Sequence, residues 1–573
     1  MKIRLINENI TKNYAEELLR ARGITDPGKF AYPTPDCLES WLNLDNIAQG
    51  VEVFLNTLYD KAPYALVVDC DVDGYTSSAI MYQYIKMQNN KKQIDWYLHS
   101  GKQHGLEDTW EKILEKGCDY SLIIIPDAGN NDKQYIEKFN CPVLVLDHHI
   151  LENSDIASNM VLINNQTSSR YTNKELSGAG VTWQFCRAVD EKLGKSESDY
   201  FMDLAALGID ADMMSMLNYE NQYIVQKGFN NINNFFFKIL IEKQSYSMGN
   251  QVNPISVAFY IAPMINAMIR VGSMEEKERL FLAFVDGEHL VPSGKRGAPK
   301  GTMERVAIES ARECTNAKSR QDKTKERIVE GLEQKIFKHD LLENRILFIR
   351  LDDEDDFPSE LNGLVAMQLS ARYKRPTIVA RLNDEGYIRG SARGLNKSTL
   401  GSFKNFLNET GLFEYTAGHD NAFGISISNK NLTKLHEIAN EELKNVDFGE
   451  NAYDVNFVRS AKDDDIEKII YSLDEIKHTW GQGNDEPLIY IENIFITQDD
   501  VQVIGKNKDT LKFEKNGITY IKFHAKDEIE ELKQFNDIKL NLVGKGNINE
   551  WMGRYTPQLI VEDMEMMDST LEF

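Results

Sequence analysis

The stretch Val67–Ser78, VVDCDVDGYTSS, decides the fold, because it joins an apolar run to three carboxylates and a glycine. Asp69, Asp71 and Asp73 occupy alternate positions, and alternate side chains of an extended chain face the same way. Converging carboxylates repel one another unless a cation lies between them. Gly74 permits a tight turn into the helical pattern that follows. A calcium loop and a solvated acidic turn are the alternatives, although the further ligands of an EF-hand are missing.

Two later apolar runs also end in polar residues. Asp127 follows LIIIP, and Asp147-His148-His149 follow VLVL. Helical patterns alternate with these runs, which predicts a doubly wound parallel sheet. Ligands bind at the carboxyl ends of the strands in such sheets. The sequence therefore places these side chains with the first three carboxylates at one sheet edge.

A fourth acidic segment, LAALGIDADMMSM, covers Leu204–Met216. It adds Asp210 and Asp212 to the candidate ligands. Oxygen and imidazole ligands suit Mn²⁺ or Mg²⁺ better than Ca²⁺. Two such ions would hold a phosphate and activate water for in-line attack.

Composition limits the classes of function. The 573 residues predict two to four domains, and 42% hydrophobic with 27% charged residues is typical of a globular protein. Six scattered cysteines without a CxxC pair argue against a zinc ribbon or a disulfide scaffold and favour a reducing compartment. A net charge of -24 argues against nucleic-acid binding over the whole surface, but a locally basic groove is compatible with it. No uninterrupted apolar run long enough for a transmembrane helix is apparent, so no membrane association is expected.

The chain is predicted to be α/β and to contain five segments. They are an N-terminal helical segment (1–60), a parallel-sheet domain (61–293), a basic linking helix (294–343), a second α/β domain (344–446) and a β-barrel, with an OB-fold favoured (447–573).

The motifs resemble those of the DHH phosphoesterase superfamily, whose triad is seen here as Asp147-His148-His149. The resemblance to RecJ-type single-stranded-DNA-specific exonucleases covers nearly the whole chain. It includes IAPMINAMIRVGS (Ile261–Ser273), IRGSARG (Ile388–Gly394), AGHDNAFG (Ala417–Gly424) and NEWMGRYTPQLIVEDME (Asn549–Glu565). It implies a DHH domain, a DHH-associated domain and a C-terminal OB-fold.

The resemblance also implies roles for individual residues. One ion would be held by Asp71 and Asp127 with help from Asp69, and the second by Asp73, Asp127, His148 and Asp212. The neighbouring Asp210 is expected to be a surface residue or a helix cap. Asp147 would not bind an ion itself but would hydrogen-bond to a histidine and orient its ring. His149 would bind metal or phosphate. The catalytic set is thus Asp71, Asp73, Asp127, His148, His149 and Asp212. Substrate phosphates would be bound by Asn266, Arg270, Gly390, Ser391, Arg393 and His419.

The implied function is metal-dependent degradation of single-stranded DNA in repair, recombination or replication, 5′→3′, to nucleoside 5′-monophosphates, with two Mn²⁺ or Mg²⁺ ions. A single-strand-binding protein or a helicase is an expected partner, and the bacterial cytoplasm the expected location. The alternatives are a DHH phosphodiesterase for short oligonucleotides or cyclic dinucleotides, and an inactive replication scaffold.

Departures from the family pattern surround the substrate. Examples are Ile269 where glycine is common and Met264 where arginine is usual. SGKQHGLEDTW only loosely matches the family's basic loop and leaves Lys102 and His104 as weak phosphate candidates. Such departures are consistent with a phage or mobile-element source.

Overall fold

The computed structural model describes residues 1–7, 10–101, 103–249, 251–352, 357–395, 398–449, 452–551 and 553–568. The chain forms two compact units, one built from residues 3–315 with 453–573 and the other from residues 316–452.

Residues 1–305 supply most of the first unit. The strands are β1 (Lys2–Leu5), β2 (Tyr64–Val68), β3 (Ile94–Leu98), β4 (Leu122–Pro126), β5 (Val143–Asp147), β6 (Met160–Asn164), β7 (Leu290–Pro292) and β8 (Met303–Arg305). The α-helices are α1 (Tyr14–Ala21), α2 (Pro27–Ala31), α3 (Ile47–Leu58), α4 (Val72–Gln88), α5 (Trp110–Glu115), α6 (Lys133–Ile136), α7 (Gly178–Leu193), α8 (Met202–Ala211), α9 (Tyr219–Asn230), α10 (Phe235–Gln244), α11 (Pro254–Tyr260), α12 (Ala262–Val271) and α13 (Met274–Val285). Short 3₁₀ helices lie at Pro35–Cys37, Trp41–Asn43 and Glu197–Phe201.

A five-stranded parallel sheet with the order β3-β2-β4-β5-β6 forms the centre of this part. Its inner strands are buried along their whole length, which explains their continuous apolar sequences. Helices cover both faces: Val67 packs in a cluster with Ile113 of α5 and Ile136 of α6, and α3 approaches the other face at Gly50, where an added Cβ would meet Leu144 at 3.3 Å. The predicted doubly wound parallel sheet is confirmed.

Two strands of this sheet were not predicted. The edge strand β3 carries half-exposed Asp95, Trp96 and Tyr97, so its sequence lacks a continuous apolar run. The strand β6 is apolar but follows a long irregular segment. Farther along, β7 and β8 pair as a hairpin around the loop that precedes the long helix.

The helix α14 (Val306–Lys338) runs through the predicted linking segment, and residues 316–452 form the second unit. The second unit also contains β9 (Leu347–Leu351), α15 (Asn362–Tyr373), β10 (Thr377–Leu382), β11 (Tyr387–Arg393), α16 (Phe403–Glu409), β12 (Phe413–His419), β13 (Ala422–Ser428) and α17 (Leu432–Glu442). Its 3₁₀ helices lie at Leu341–Glu343, Ser359–Leu361 and Asn429–Asn431. The sheet order is β12-β13-β11-β10-β9, in which β9 and β10 are parallel and the other pairs antiparallel.

The C-terminal part contains β14 (Ala452–Val455), β15 (Phe457–Ser460), α18 (Ile466–Glu475), β16 (Leu488–Thr497), β17 (Gln502–Ile504), β18 (Thr510–Lys515), β19 (Ile518–Lys522), α19 (Lys526–Leu532), β20 (Asp537–Trp551) and β21 (Arg554–Asp568), with 3₁₀ helices at Lys477–Thr479 and Gln498–Asp500. Seven strands form one sheet in the order β15-β16-β20-β21-β19-β18-β17. Its pairings form an open series among the described residues, and the long strands β20 and β21 are its centre.

The N-terminal segment shares a core with this C-terminal sheet. Leu18, Leu19 and Phe30 are buried in the same apolar cluster as Phe457 and Ile470. β1 also pairs with β14. The first 31 residues therefore belong physically with the last 120, although the sequence places them in separate segments.

One helical stretch, Pro254–Val271, is long and apolar enough to span a membrane when only length and composition are considered. More than half of it (56%) is buried inside the protein, and core helices of soluble proteins meet the same criteria. It comprises α11 and α12 and includes Asn266 and Arg270.

Candidate metal centre

The three carboxylates after β2 are held in different ways. Asp71 caps α4, because its Oδ1 accepts a hydrogen bond of 2.9 Å from the Gly74 amide. Asp73, in the first turn of the helix, accepts hydrogen bonds from the Ser177 hydroxyl at 2.9 Å and from the amides of Gly178 and Ala179 at 2.6 and 3.0 Å. The start of α7 therefore fixes the Asp73 carboxylate.

Asp127, directly after β4, is the least satisfied carboxylate of the site. It is 1% exposed, and neither side-chain oxygen has a hydrogen-bond partner among the described residues. Its backbone φ of 67° lies in the left-handed region, and its amide donates to the Leu146 carbonyl of the next strand. A buried carboxylate without donors is a costly group that a cation would satisfy.

His148 lies at the centre of a ring of carboxylates. Its Nε2 is 3.3 Å from Asp127 Oδ1, 3.5 Å from Asp212 Oδ2 and 3.9 Å from Asp73 Oδ2. Asp73, His148 and Asp212 each present a ligand atom within 4.8 Å of the others. The structure thus brings together residues from the ends of β5 and α8 and the start of α4.

A second set of ligand atoms lies beside the first. Asp69, Asp71 and Asp127 also present oxygens within 4.8 Å of one another. Because Asp127 contacts His148 of the first set, the two sets meet at this carboxylate. The arrangement has the donor types and the shared carboxylate that a pair of hard divalent cations requires.

The electrostatics of the ring indicate an excess of negative charge. Burial, with the neighbouring Asp69 and Asp73, raises the pKa of Asp71 to about 6. Burial and the surrounding carboxylates also raise the pKa of Asp127 and of Asp212 well above their usual range. Burial and the charge of His149 lower the pKa of His148, which favours the neutral imidazole that binds metal. The residues present therefore fit a cationic cofactor.

Asp147 and His149 form a pair next to this ring. Asp147 Oδ1 accepts from the amides of His148 and His149 and lies 2.8 Å from His149 Nδ1, while Oδ2 accepts from the Asn130 amide. Although burial alone would lower the pKa of His149, the bond to Asp147 and the nearby carboxylates raise it to about 9. His149 is therefore cationic at neutral pH, and its side chain is 52% exposed.

Asn266 and Arg270 lie one turn apart on α12, so they share a helix face. Both are half-buried. Burial lowers the pKa of the Arg270 guanidinium, whereas the charges of Asp71 and Cys70 oppose that shift. The structure thus places Arg270 within electrostatic reach of the metal ligands.

Within the second unit, Gly390, Ser391 and Arg393 lie on β11. Gly390 pairs with Ala380 of β10, and a Cβ on Gly390 would lie 2.4 Å from the Ala380 Cα. Ser391 and Arg393 are two residues apart and so share a face of the sheet. His419 ends β12 and is exposed.

The prediction that Asp210 is a surface residue or cap is wrong. It lies inside α8, is 6% exposed, and its Oδ2 has no hydrogen-bond partner among the described residues. Burial raises the pKa of its carboxyl well above the usual range. The apolar helical pattern around Asp210 could have indicated that this residue is buried.

Three glycines that the sequence analysis did not assign to the site are packed onto the ligands. An added Cβ would lie 2.6 Å from the Asp69 Cβ at Gly74 and 2.3 Å from Asp127 Oδ1 at Gly178; at Gly208 it would lie 2.2 Å from Asp73 Oδ1. Backbone therefore approaches carboxylates more closely than any side chain would allow. Of the two weak phosphate candidates, His104 lies 2.7 Å from Asp69, and Lys102 lies outside the described residues.

Comparison with known proteins gives the context for this geometry. The N-terminal domain of the DHH family matches residues 64–209, and the RecJ OB domain matches residues 463–563. The putative SPbeta prophage-derived single-strand DNA-specific exonuclease YorK of Bacillus subtilis is 34% identical over 99% of this chain and 98% of its own length. The chain belongs to the RecJ family of exonucleases.

More distant members agree with this assignment. The single-stranded-DNA-specific exonuclease RecJ of Bacillus subtilis is 27% identical over 86% of this chain and 60% of its own length. The crystal structure of Thermus thermophilus RecJ in complex with Mn²⁺ has the same fold, with a TM-score of 0.71 and 17% identity over 99% of this chain and 80% of that protein. The Thermus RecJ structure has also been solved with Mg²⁺. The predicted family and the C-terminal OB domain are thereby confirmed.

Proposed function

We propose that this RecJ-family chain is a metal-dependent exonuclease that degrades single-stranded DNA 5′→3′ and releases nucleoside 5′-monophosphates. The observation that carries the proposal is the position of His148 Nε2, 3.3–3.9 Å from the carboxylates of Asp73, Asp127 and Asp212. An inactive scaffold would be expected to lose such ligands, whereas the predicted set is complete in this sequence.

Two Mn²⁺ or Mg²⁺ ions are the proposed cofactors. One would be held by Asp71 and Asp127 with Asp69 nearby, and the other by Asp73, Asp127, His148 and Asp212. When bound, such ions lower the pKa of water and neutralise the charge that develops on phosphorus oxygens. The unpartnered oxygens of Asp127 support its proposed role as the shared ligand.

The other site residues act on the substrate. Arg270, close to Asp71, would neutralise a phosphate oxygen, and Asn266 on the same helix face would donate a hydrogen bond to it. His149 holds a proton at neutral pH and would donate from Nε2 to a phosphate oxygen, while Asp147 fixes its ring by accepting from Nδ1.

The second unit is proposed to bind a nucleotide of the substrate. Arg393 and Ser391 offer a guanidinium and a hydroxyl on one face of β11, a combination suited to phosphate. Gly390 and His419 complete the proposed set.

The C-terminal domain is proposed to hold the strand upstream. A cavity of about 450 Å³ on its sheet is lined by Lys512, Glu514, Lys515, Asn516, Thr519 and Gln558, among others, and Lys512 Nζ lies 3.5 Å from Glu514 Oε1. Lysines and neutral hydrogen-bonding groups suit a phosphate backbone with little sequence preference. This feature favours long strands over the short oligonucleotides or cyclic dinucleotides of the rival phosphodiesterase reading.

Relatives of this chain come from bacteria and from a Bacillus phage. We therefore propose action in the bacterial cytoplasm, with a phage or prophage as the source. A single-strand-binding protein or a helicase is the proposed protein partner, in repair, recombination or replication.

The test uses strands labelled at the 5′ or the 3′ end, duplexes and dinucleotides, each with Mn²⁺, Mg²⁺ or EDTA. We expect mononucleotides to appear first from the 5′ end of single strands, and no product in EDTA. Preferential cleavage of dinucleotides would favour the phosphodiesterase alternative, and inertness with every metal would favour the scaffold.

A further inference from the structure

A cluster of softer ligands lies on the outer side of Asp69. Cys70 Sγ is 3.7 Å from His104 Nδ1, and the same nitrogen is 2.7 Å from Asp69 Oδ2. One ligand atom from each of Asp69, Cys70 and His104 lies within 4.8 Å of the others. None of the ion-ligand roles proposed above uses the thiol or this imidazole.

A second histidine points at the same carboxylate. The side chain of His99 is 1% exposed, and its Nδ1 is hydrogen-bonded with Asp108. Its Nε2 is 3.8 Å from Asp69 Oδ1 and has no hydrogen-bond partner among the described residues. A buried, unpartnered imidazole nitrogen is unusual unless something is to be bound there.

We propose that Asp69, Cys70 and His104, with His99 behind them, form a third metal site, selective for borderline-soft divalent cations such as Zn²⁺. Thiolate and imidazole are the ligands that Zn²⁺ prefers, whereas Mg²⁺ and Mn²⁺ prefer the oxygens of the neighbouring centre. The site is thus distinguished from that centre by donor chemistry and not by position alone.

The distances fit such an ion. Zinc bonds of about 2.3 Å to sulfur and 2.0 Å to nitrogen place the two ligand atoms about 3.5 Å apart in a tetrahedron. The separation of 3.7 Å between Cys70 Sγ and His104 Nδ1 is close to this value; Sγ also lies 3.8 Å from Nε2, so the ring has to rotate for Nδ1 to face the ion. The Asp69–His104 contact has to widen by roughly 0.6 Å, and the His104 side chain is 62% exposed and free to turn.

Binding replaces protons by the ion. In the metal-free site His104 shares a proton with Asp69, and the thiol of Cys70 lies against the same ring. A divalent ion displaces the proton on Nδ1 and the thiol proton, both of which pass to solvent.

The test is a titration of the reduced full-length protein with Cd²⁺, a soft probe whose bond to a thiolate absorbs in the ultraviolet. Excess Mg²⁺ is present to occupy the oxygen-rich centre. We expect the thiolate band to saturate at one Cd²⁺ per chain and to be reversed by competing Zn²⁺. Absence of the band would overturn the proposal.

Two variants and a control give the assignment. Cys70→Ser should abolish the band, and His104→Gln should weaken affinity by about 10- to 100-fold, as loss of ligand support commonly does. Cys118→Ser, which removes another half-exposed free thiol, should leave the band unchanged. A full band in Cys70→Ser, or its loss in Cys118→Ser alone, would refute the site. These readouts do not depend on nuclease activity, so they stand apart from the proposed function.

Discussion

Replacing Asp127 by Asn tests the repulsion within the carboxylate ring. Asn tolerates the left-handed backbone of this position and can donate from its amide to the surrounding carboxylates. The variant should lose exonuclease activity, because it removes the carboxylate that is proposed to bind both ions. Its metal-free form should nevertheless be more stable than the wild type.

The expected gain follows from the geometry. Ligand oxygens of Asp69, Asp71 and Asp127 lie within 4.8 Å of one another. Two ionised carboxylates at that distance repel by about 3.5 kcal/mol at an effective dielectric constant of about 20. Protonation relieves part of this repulsion, so we expect a gain of about 1–3 kcal/mol. At an unfolding entropy of about 2.1 cal/mol/K per residue, each kcal/mol raises the Tm of a unit of about 430 residues by roughly 1 °C.

The gain should depend on pH. The pKa of Asp127 is raised in the folded protein, so above about pH 4, the pKa of an unfolded aspartate, the folded state holds the extra proton. The stability of the wild type therefore falls as pH rises from there toward the folded pKa, and the full penalty is present above it. Asp127→Asn should gain most at neutral and alkaline pH and least near pH 4.

Thermal unfolding with EDTA and with Mn²⁺ is the assay. Mn²⁺ at 100 times its Kd should stabilise the wild type by about 2.7 kcal/mol, and Asp127→Asn should show a much smaller shift. The control is Asp203→Asn, an equally buried aspartate whose carboxylate accepts three backbone amides and which should lose stability. A metal-free Asp127→Asn protein that melts below the wild type, or an unchanged Mn²⁺ shift, would refute the reasoning.

Three further outcomes are expected. In Gly178→Ala the new Cβ would lie 2.3 Å from Asp127 Oδ1, so kcat in Mn²⁺ should fall by at least tenfold while circular dichroism shows an unchanged fold. Normal turnover would show that the Asp127 side chain can move aside without loss of function. Arg393→Ala should weaken binding of single strands by about 1.5–3 kcal/mol in fluorescence anisotropy, with Lys rescuing only partly, and equal rescue by Lys would argue against a planar fork on phosphate. The double variant Lys512→Gln/Lys515→Gln should slow degradation of long strands more than of dinucleotides. It should also reduce the slope of log affinity against log salt concentration by about one to two. An unchanged slope would show that DNA does not bind in this cavity.

The sequence predicted the centre of the fold because physical signals coincided there. The apolar runs of β2, β4 and β5 are buried on both faces, and each ends at a polar residue that the structure brings to one edge. The residues predicted as ligands do converge, since parallel strands end together. Their roles toward ions and substrate stay predictions that the variants above test.

Other features depend on contacts that no local pattern reveals. The strand β3 was missed because an edge strand is half-exposed, and β11 because its sequence IRGSARG contains glycine and charge where a strand pattern expects alternation. The burial of Asp210 depends on neighbouring helices. The packing of Gly208 against Asp73 joins residues far apart in sequence, so only the folded backbone shows why glycine is required.

The shared core of the N-terminal segment and the C-terminal sheet has a consequence for synthesis on the ribosome. Leu18, Leu19 and Phe30 emerge more than 400 residues before Phe457, their packing partner. At bacterial elongation rates of about 5–20 residues per second, these side chains wait roughly 20–85 s for a surface to cover them. During that interval the nascent chain exposes the apolar side chains of its N-terminal segment, which the C-terminal sheet covers only later. The C-terminal sheet therefore covers apolar side chains of the N-terminal segment, and a nascent chain that stops before Phe457 leaves them exposed to aggregation.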